Sequence, residues 1–161
     1  MRHHPGDELV DAAVTLDREY VLHAPSVEVW PWLEQVGKGR AGWYAPRWFE
    51  RLTPARFHAA REIEPRWGLK VGDVVPDYGP SDFTVAVLDP PHALVHRGSH
   101  KGTDFTWALL LTDVDDGRCV VHFRFRISRA GRVMRTVGDL FDHATIALLV
   151  AGLRERVGAA A

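Results

Sequence analysis

Several groupings in this 161-residue chain have side chains of the type and spacing that chemistry could use. Gly37, Gly39 and Gly42 spell G-x-G-x-x-G, the pattern that seats a pyrophosphate on the amides at a helix start. That chemistry needs a strand running into the glycines, whereas Val29, Trp30, Leu33 and Val36 precede them at helical spacing. No acidic residue closes a second strand about twenty residues on, where ribose binding would want one. The glycines read instead as a helix C-cap and a tight connection, and no dinucleotide cofactor is expected. Asp139, Asp142 and His143 could mimic a metal cluster, but helical spacing makes Asp139 and His143 an ordinary i, i+4 pair. His3 and His4 are neighbours on a polar end and read as solvated, so no metal is expected there either.

A basic run follows in His122, Arg124 and Arg126, continued by Arg129, Arg132 and Arg135. The stretch Val121-His122-Phe123-Arg124-Phe125 faintly echoes an RNA-recognition strand. Alternation turns the phenylalanines away from the arginines, so they cannot stack bases beside those charges. The run reads as a solvated convex sheet face, and no nucleic-acid partner is expected. The chain has no Ser-His-Asp order, no two-carboxylate motif and no metal-ligand spacing. Its single cysteine, Cys119, excludes an internal disulfide and a cysteine-based zinc cluster.

The elements that must position these groups follow from hydrophobic period. Residues 1–12 are polar and read as loose. Val14, Leu16, Tyr20 and Leu22 alternate with polar neighbours as a strand, with Arg18 on its apolar side. A helix opens at Pro25 and meets Pro31, which must kink it or make its first turn irregular. Trp43 to Leu52 reads as a second short helix. From Asp73 the period becomes two. Phe83, Val85 and Val87 line one strand, the turn Asp89 to His92 follows, and Ala93 to Arg97 returns. Phe105, Trp107, Leu109 and Leu111 then alternate in step with Cys119, Val121, Phe123, Phe125 and Ile127. Pairing Leu111 with Cys119 sets Leu109 on Val121, Trp107 on Phe123 and Phe105 on Phe125, all on one face. Gly131 to about Val157 reads as one long helix whose core stripe is Val133, Val137, Leu140, Phe141, Ala144, Leu148 and Ala151.

The stretch from Trp30 to Tyr44 resembles a known signature. Ala24, Pro25, Val29, Trp30, Pro31, Trp32 and Leu33 are followed by Gly37, Gly39, Arg40, Gly42, Trp43 and Tyr44. This is similar to bacterial START-like proteins of the polyketide cyclase/dehydrase type, the SRPBCC group. The likeness continues in Gly72 to Pro76, Leu94 to Arg97 and Trp107, and covers roughly residues 14–128. It implies a helix-grip fold of the α+β class: a curved antiparallel sheet wrapped around a long C-terminal helix, with two short helices after the first strand. Family members use the cavity between sheet and helix for lipids, sterols, polyketides or other apolar molecules. No catalytic residue attaches to the signature.

The expected arrangement is therefore a single START-like domain over residues 13–158, binding a small, largely apolar ligand between sheet and terminal helix. The alternative is a cyclase or dehydratase acting in the same cavity; a third reading has the interior filled by Trp and Phe, with no cavity. Candidate ligand contacts on the sheet are Tyr20, Val85, Phe105, Trp107, Leu109, Phe123 and Phe125. Arg40, Trp43 and Tyr44 add the glycine loop, and Leu140 and Phe141 the helix. His96 is the one candidate for proton transfer, because the register Val85 opposite His96 points it inward, with Tyr20 or Arg18 across the cavity. A net charge of −1 gives no global field for nucleic acid or anionic membranes. The start MRHHPGDEL has no apolar leader core, and the run Ile146 to Leu153 falls short of the roughly 20 residues of a membrane span. A cytoplasmic protein is expected.

Overall fold

The computed structural model describes residues 4–79, 81–115, 117–131 and 134–157, at 134–135 the backbone alone. Strand β1 (Val14–Leu22) leads into α1 (Ser26–Gln35) and the short α2 (Arg47–Glu50). Strands β2 (Val74–Val75), β3 (Phe83–Asp89), β4 (Ala93–His100), β5 (Thr103–Asp115) and β6 (Arg118–Ile127) follow, and α3 (Asp139–Val157) ends the fold. The strands form one antiparallel sheet in the order β1-β6-β5-β4-β3-β2. The chain thus has the α+β helix-grip architecture, a sheet whose apolar face is covered by the terminal helix.

Between sheet and helices lies the main core, in which Val29, Leu33, Tyr44, Leu94, Leu109, Phe123, Leu149 and Leu153 are fully buried. A smaller cluster of Ala93, Val95, Ala108 and Leu110, with Val87 packed against it, occupies the opposite sheet face. That outer face is not simply solvated, as the basic run suggests. Arg124 forms ion pairs with Asp7 and Asp17, Arg126 bonds to the Asp7 main chain, and His122 is buried with Nε2 2.6 Å from Asp17. The cover is the segment read as loose: a short turn at Asp7–Leu9 brings Gly6 against Val95 and buries Val10. Opposite charges, spaced far apart in sequence, hold it down.

Two irregularities correct the predicted registers. β5 extends to Asp115 and is irregular between Asp113 and Asp115, so Leu111 lies opposite Val121, Leu109 opposite Phe123 and Trp107 opposite Phe125. The slip from the prediction is two residues, an even number, so every side chain keeps its face. In β3 a bulge between Val85 and Val87 preserves Val85 opposite His96 but turns Val87 to the outer face, leaving Leu88 against the core.

The helices differ from expectation as well. α1 runs through Pro31 and is held at its start by Asp113, whose carboxylate accepts from the Ser26 amide at 2.7 Å and hydroxyl at 2.8 Å. Pro46 forces extended backbone before it, so the second helix begins only at Arg47, not at Trp43. The terminal helix opens with a π turn over Met134–Gly138 before α3. Its core stripe is Ile146, Leu149, Val150, Leu153 and Val157. Val137, Leu140 and Phe141 are exposed instead, and Val133 lies outside the described residues. The stripe is displaced because the second half of the helix packs while the first half stands off the sheet. Residues 136–157 are long and apolar enough to cross a membrane by length and composition alone. Here their buried face carries Arg156, which bonds four main-chain carbonyls and Glu50 in the interior.

Candidate functional site: the cavity under the terminal helix

Where the first half of α3 stands off, an open cavity of about 270 Å³ remains between helix and sheet. β1 supplies Val14 and Leu16, β3 Phe83, β5 Trp107, and β6 Phe125 and Ile127. Alternation explains this wall, since all six point to the inner face of their strands. The roof is Gly138, Phe141, Asp142, Thr145 and Ile146, and Trp43 and Asp77 close the end. An adjoining hollow of about 510 Å³ shares Trp43, Asp77, Phe141 and Thr145 and adds Tyr78 and Gly79.

Trp43 is positioned by the glycine loop. Gly37, Gly39 and Gly42 all have positive φ, and Gly37 and Gly42 bridge each other, which reverses the chain within a few residues. Arg40 holds this reversal, donating to the Glu34 carbonyl at 3.1 Å and to the Trp67 carbonyl. Trp43 then stacks on Trp107, ring centres 5.8 Å apart, and donates its indole N–H to the Thr145 carbonyl at 3.3 Å. Loop, sheet and helix therefore meet at this one indole.

Of the sequence candidates, Trp43, Trp107, Phe125 and Phe141 line the cavity. Val85, Leu109 and Phe123 lie in the solid core, and Tyr44 is buried beneath, its hydroxyl donating to the Trp32 carbonyl at 2.7 Å. Tyr20 and Phe105 pack on the core without reaching the cavity wall, and Arg40 faces a separate groove on the far side of Trp43. Leu140 is 70 % exposed and turned away. Alternation finds which face a residue occupies, but not how far along the sheet the helix lifts away. Val14, Leu16 and Ile127 share the inner-face alternation of their strands, and Thr145 lies one turn beyond Phe141; those signals could have found them. Nothing in the sequence marks Asp77.

His96 does point inward and is only 3 % exposed. It stands behind the cavity wall, tilted against Phe83 and stacked on Trp107. Burial pushes its pKa down to about 4, partly offset by the Trp107 backbone, so the imidazole is neutral at pH 7. Its Nδ1 has no partner. Neither Tyr20 nor Arg18 reaches it; Arg18 is drawn to the Asp139 carboxylate and lies 3.4 Å from Asp142. Burial raises the Asp142 pKa, and its Oδ2 is buried without a hydrogen bond. Burial also lifts the Cys119 thiol to about 11, which leaves it unreactive. No group of three or more metal-binding side chains occurs among the described residues.

No protein-family model matches the chain, and no curated protein matches it. Solved structures do. CalU16 from Micromonospora echinospora superposes with a TM-score of 0.56 at 15 % identity, over 90 % of this chain and 84 % of that one. Protein MLL2253 from Mesorhizobium loti gives 0.58 at 14 % identity, covering 90 % and 97 %. Norcoclaurine synthase from Thalictrum flavum gives 0.56 at 14 % identity, covering 98 % and 93 %. At such identities the likeness is one of fold, and that fold is the one the resemblance around Trp43 implies: the chain has the helix-grip fold.

Proposed function

We propose that the protein binds a small, largely apolar molecule in the cavity between the sheet and α3. One observation carries this reading: a well-packed core stops short, leaving an aromatic-walled space where alternation alone would have placed more core. Close-packed interiors rarely leave such space without use. The norcoclaurine synthase structure holds dopamine and hydroxybenzaldehyde, so a helix-grip protein accommodates small aromatic molecules. Calorimetric titration with 1-naphthalenemethanol tests the reading. Saturable binding at micromolar concentrations is expected, abolished by Thr145→Trp, which places an indole in the cavity roof. An absence of binding by the unmodified protein would sink the proposal.

A cyclase or dehydratase working in the same cavity is the second reading. Asp142 favours it, as a wall carboxylate whose raised pKa suits proton transfer. His96 could contribute only if Trp107 and Phe83 moved aside. Loss of turnover on a linear poly-β-ketone in Asp142→Asn, with binding retained, would distinguish an enzyme from a carrier.

A further inference from the structure

The apolar wall of the cavity is interrupted by two carboxylates, Asp142 and Asp77, and among its described lining residues by no cationic side chain. Arg18, behind the wall, does not cancel them. Its guanidinium donates to the Asp139 carboxylate, to the Asp139 carbonyl at 3.1 Å and to the Asp17 carbonyl at 2.9 Å. It approaches Asp142 only through Nε at 3.4 Å, and neither that nitrogen nor Asp142 Oδ2 makes a hydrogen bond. One guanidinium thus faces two carboxylates on α3, and Asp77 adds a third at the cavity's end. Among the described residues Asp77 bonds only the Gly79 amide, at 3.0 Å.

Acidic residues in a first helical turn are stabilised by the helix dipole, which accounts for Asp139 and Asp142 as residue types. It does not account for an Asp142 oxygen buried at a cavity wall with Arg18 at ion-pair distance but no hydrogen bond, nor for Asp77 on a loop. A buried carboxylate oxygen left without a hydrogen bond is costly unless a donor arrives. The surrounding aromatic faces complete the picture. Trp43 stacks on Trp107, Tyr78 meets Trp43 edge-on at 6.4 Å, and Phe141 and Phe125 face the same space. The faces of such rings are electron-rich and attract cations.

We propose that the ligand is an amine: an apolar, ring-sized body in the cavity, bearing an ammonium group held by Asp142 and Asp77 against the aromatic faces at the Trp43 end. The inference rests on the cavity being a ligand site and names the ligand's charge. Three probes with one naphthalene body separate the two ideas: 1-naphthylmethylamine, 1-naphthalenemethanol and 1-naphthoate. They are titrated into the full chain at about 0.15 M salt, where exposed charges are screened. The amine should bind about tenfold tighter than the alcohol, and the carboxylate weaker than both. Asp142→Asn should remove most of that preference, and Asp77→Asn should remove part of it. Alcohol and amine binding equally, or a preference surviving in the double Asn variant, would overturn the amine proposal and leave the apolar-ligand reading intact. Binding of none of the three would overturn both.

Discussion

His96 lies nearly flat against Trp107, ring centres 5.7 Å apart and planes 26° from parallel. The imidazole therefore backs the indole that forms the cavity wall, and does not itself face the space. Its pKa of about 4 in the folded protein, against about 6.5 when unfolded, makes it a reporter of stability. Between those values the unfolded chain takes up a proton that the folded chain refuses. Stability from this site is fully present above about pH 6.5 and is lost as pH falls toward 4. The wild type should lose about 2–3 kcal/mol more than His96→Leu between about pH 7 and pH 4 in urea unfolding. Parallel losses in the two proteins would show that the histidine is not held neutral.

Gly152 of α3 crosses the chain at Ala45 so closely that a methyl group on it would come within 2.5 Å of the Ala45 nitrogen. In an open helix Gly→Ala gains about 1 kcal/mol. Here the obstacle is backbone, fixed by Pro46 and α2, so Gly152→Ala should lose about 1–3 kcal/mol instead. A melting temperature unchanged or raised would mean that the helix can draw back.

Much of the fold was legible because it depends on parity. Alternation gave the inner face of β1, β5 and β6 correctly even where the register was two residues off, since an even slip preserves the face. The bulge in β3 is an odd event, and it carried Val87 to the outside where no pattern announced it. The terminal helix was the least legible element. Its sequence is apolar nearly all round, so the stripe could be drawn through Leu140 and Phe141, and the true core side includes an arginine. A pattern of apolar residues does not reveal an interior guanidinium, because its carbonyl partners at Ala45, Ala59 and Ala60 leave no signal in composition. The cavity was half legible for the same reason. Trp43, Trp107 and Phe125 belong to the signature or the alternation, whereas Asp77 and the lift of α3 depend on tertiary packing.

That interior arginine leads to a third prediction. Arg156 is wholly buried, with Glu50 at 3.1 Å and the Tyr44 ring 4.6 Å beneath its guanidinium. Replacing it with methionine nearly keeps the volume but withdraws the donor from the carbonyls of Ala45, Ala59 and Ala60 and leaves Glu50 with Arg61, at 2.5 Å. Arg156→Met should cost about 3–5 kcal/mol, seen as a large fall in urea midpoint. Glu50→Gln should cost less, since the single amide oxygen still accepts from one of the two arginines, which bond separate oxygens of Glu50. If Arg156→Met were neutral, the network would be incidental to stability.

Phe141 and Phe123 provide the sharpest contrast between cavity and core. Phe141 is 70 % exposed yet lines the cavity roof, whereas Phe123 is buried in the close-packed sheet face and does not line this cavity. A surface phenylalanine makes few packing contacts, so Phe141→Ala should change stability by no more than about 0.5 kcal/mol. It should nonetheless weaken 1-naphthalenemethanol several-fold, because the ligand loses one side of its enclosure. Phe123→Ala should do the reverse, costing about 3–5 kcal/mol of stability while the protein that remains folded binds the probe with nearly unchanged affinity. Calorimetry and urea unfolding on the same two variants give both readouts. Should Phe141→Ala bind like the wild type, the ligand must sit elsewhere, and the lift of α3 from the sheet would have to be explained without it.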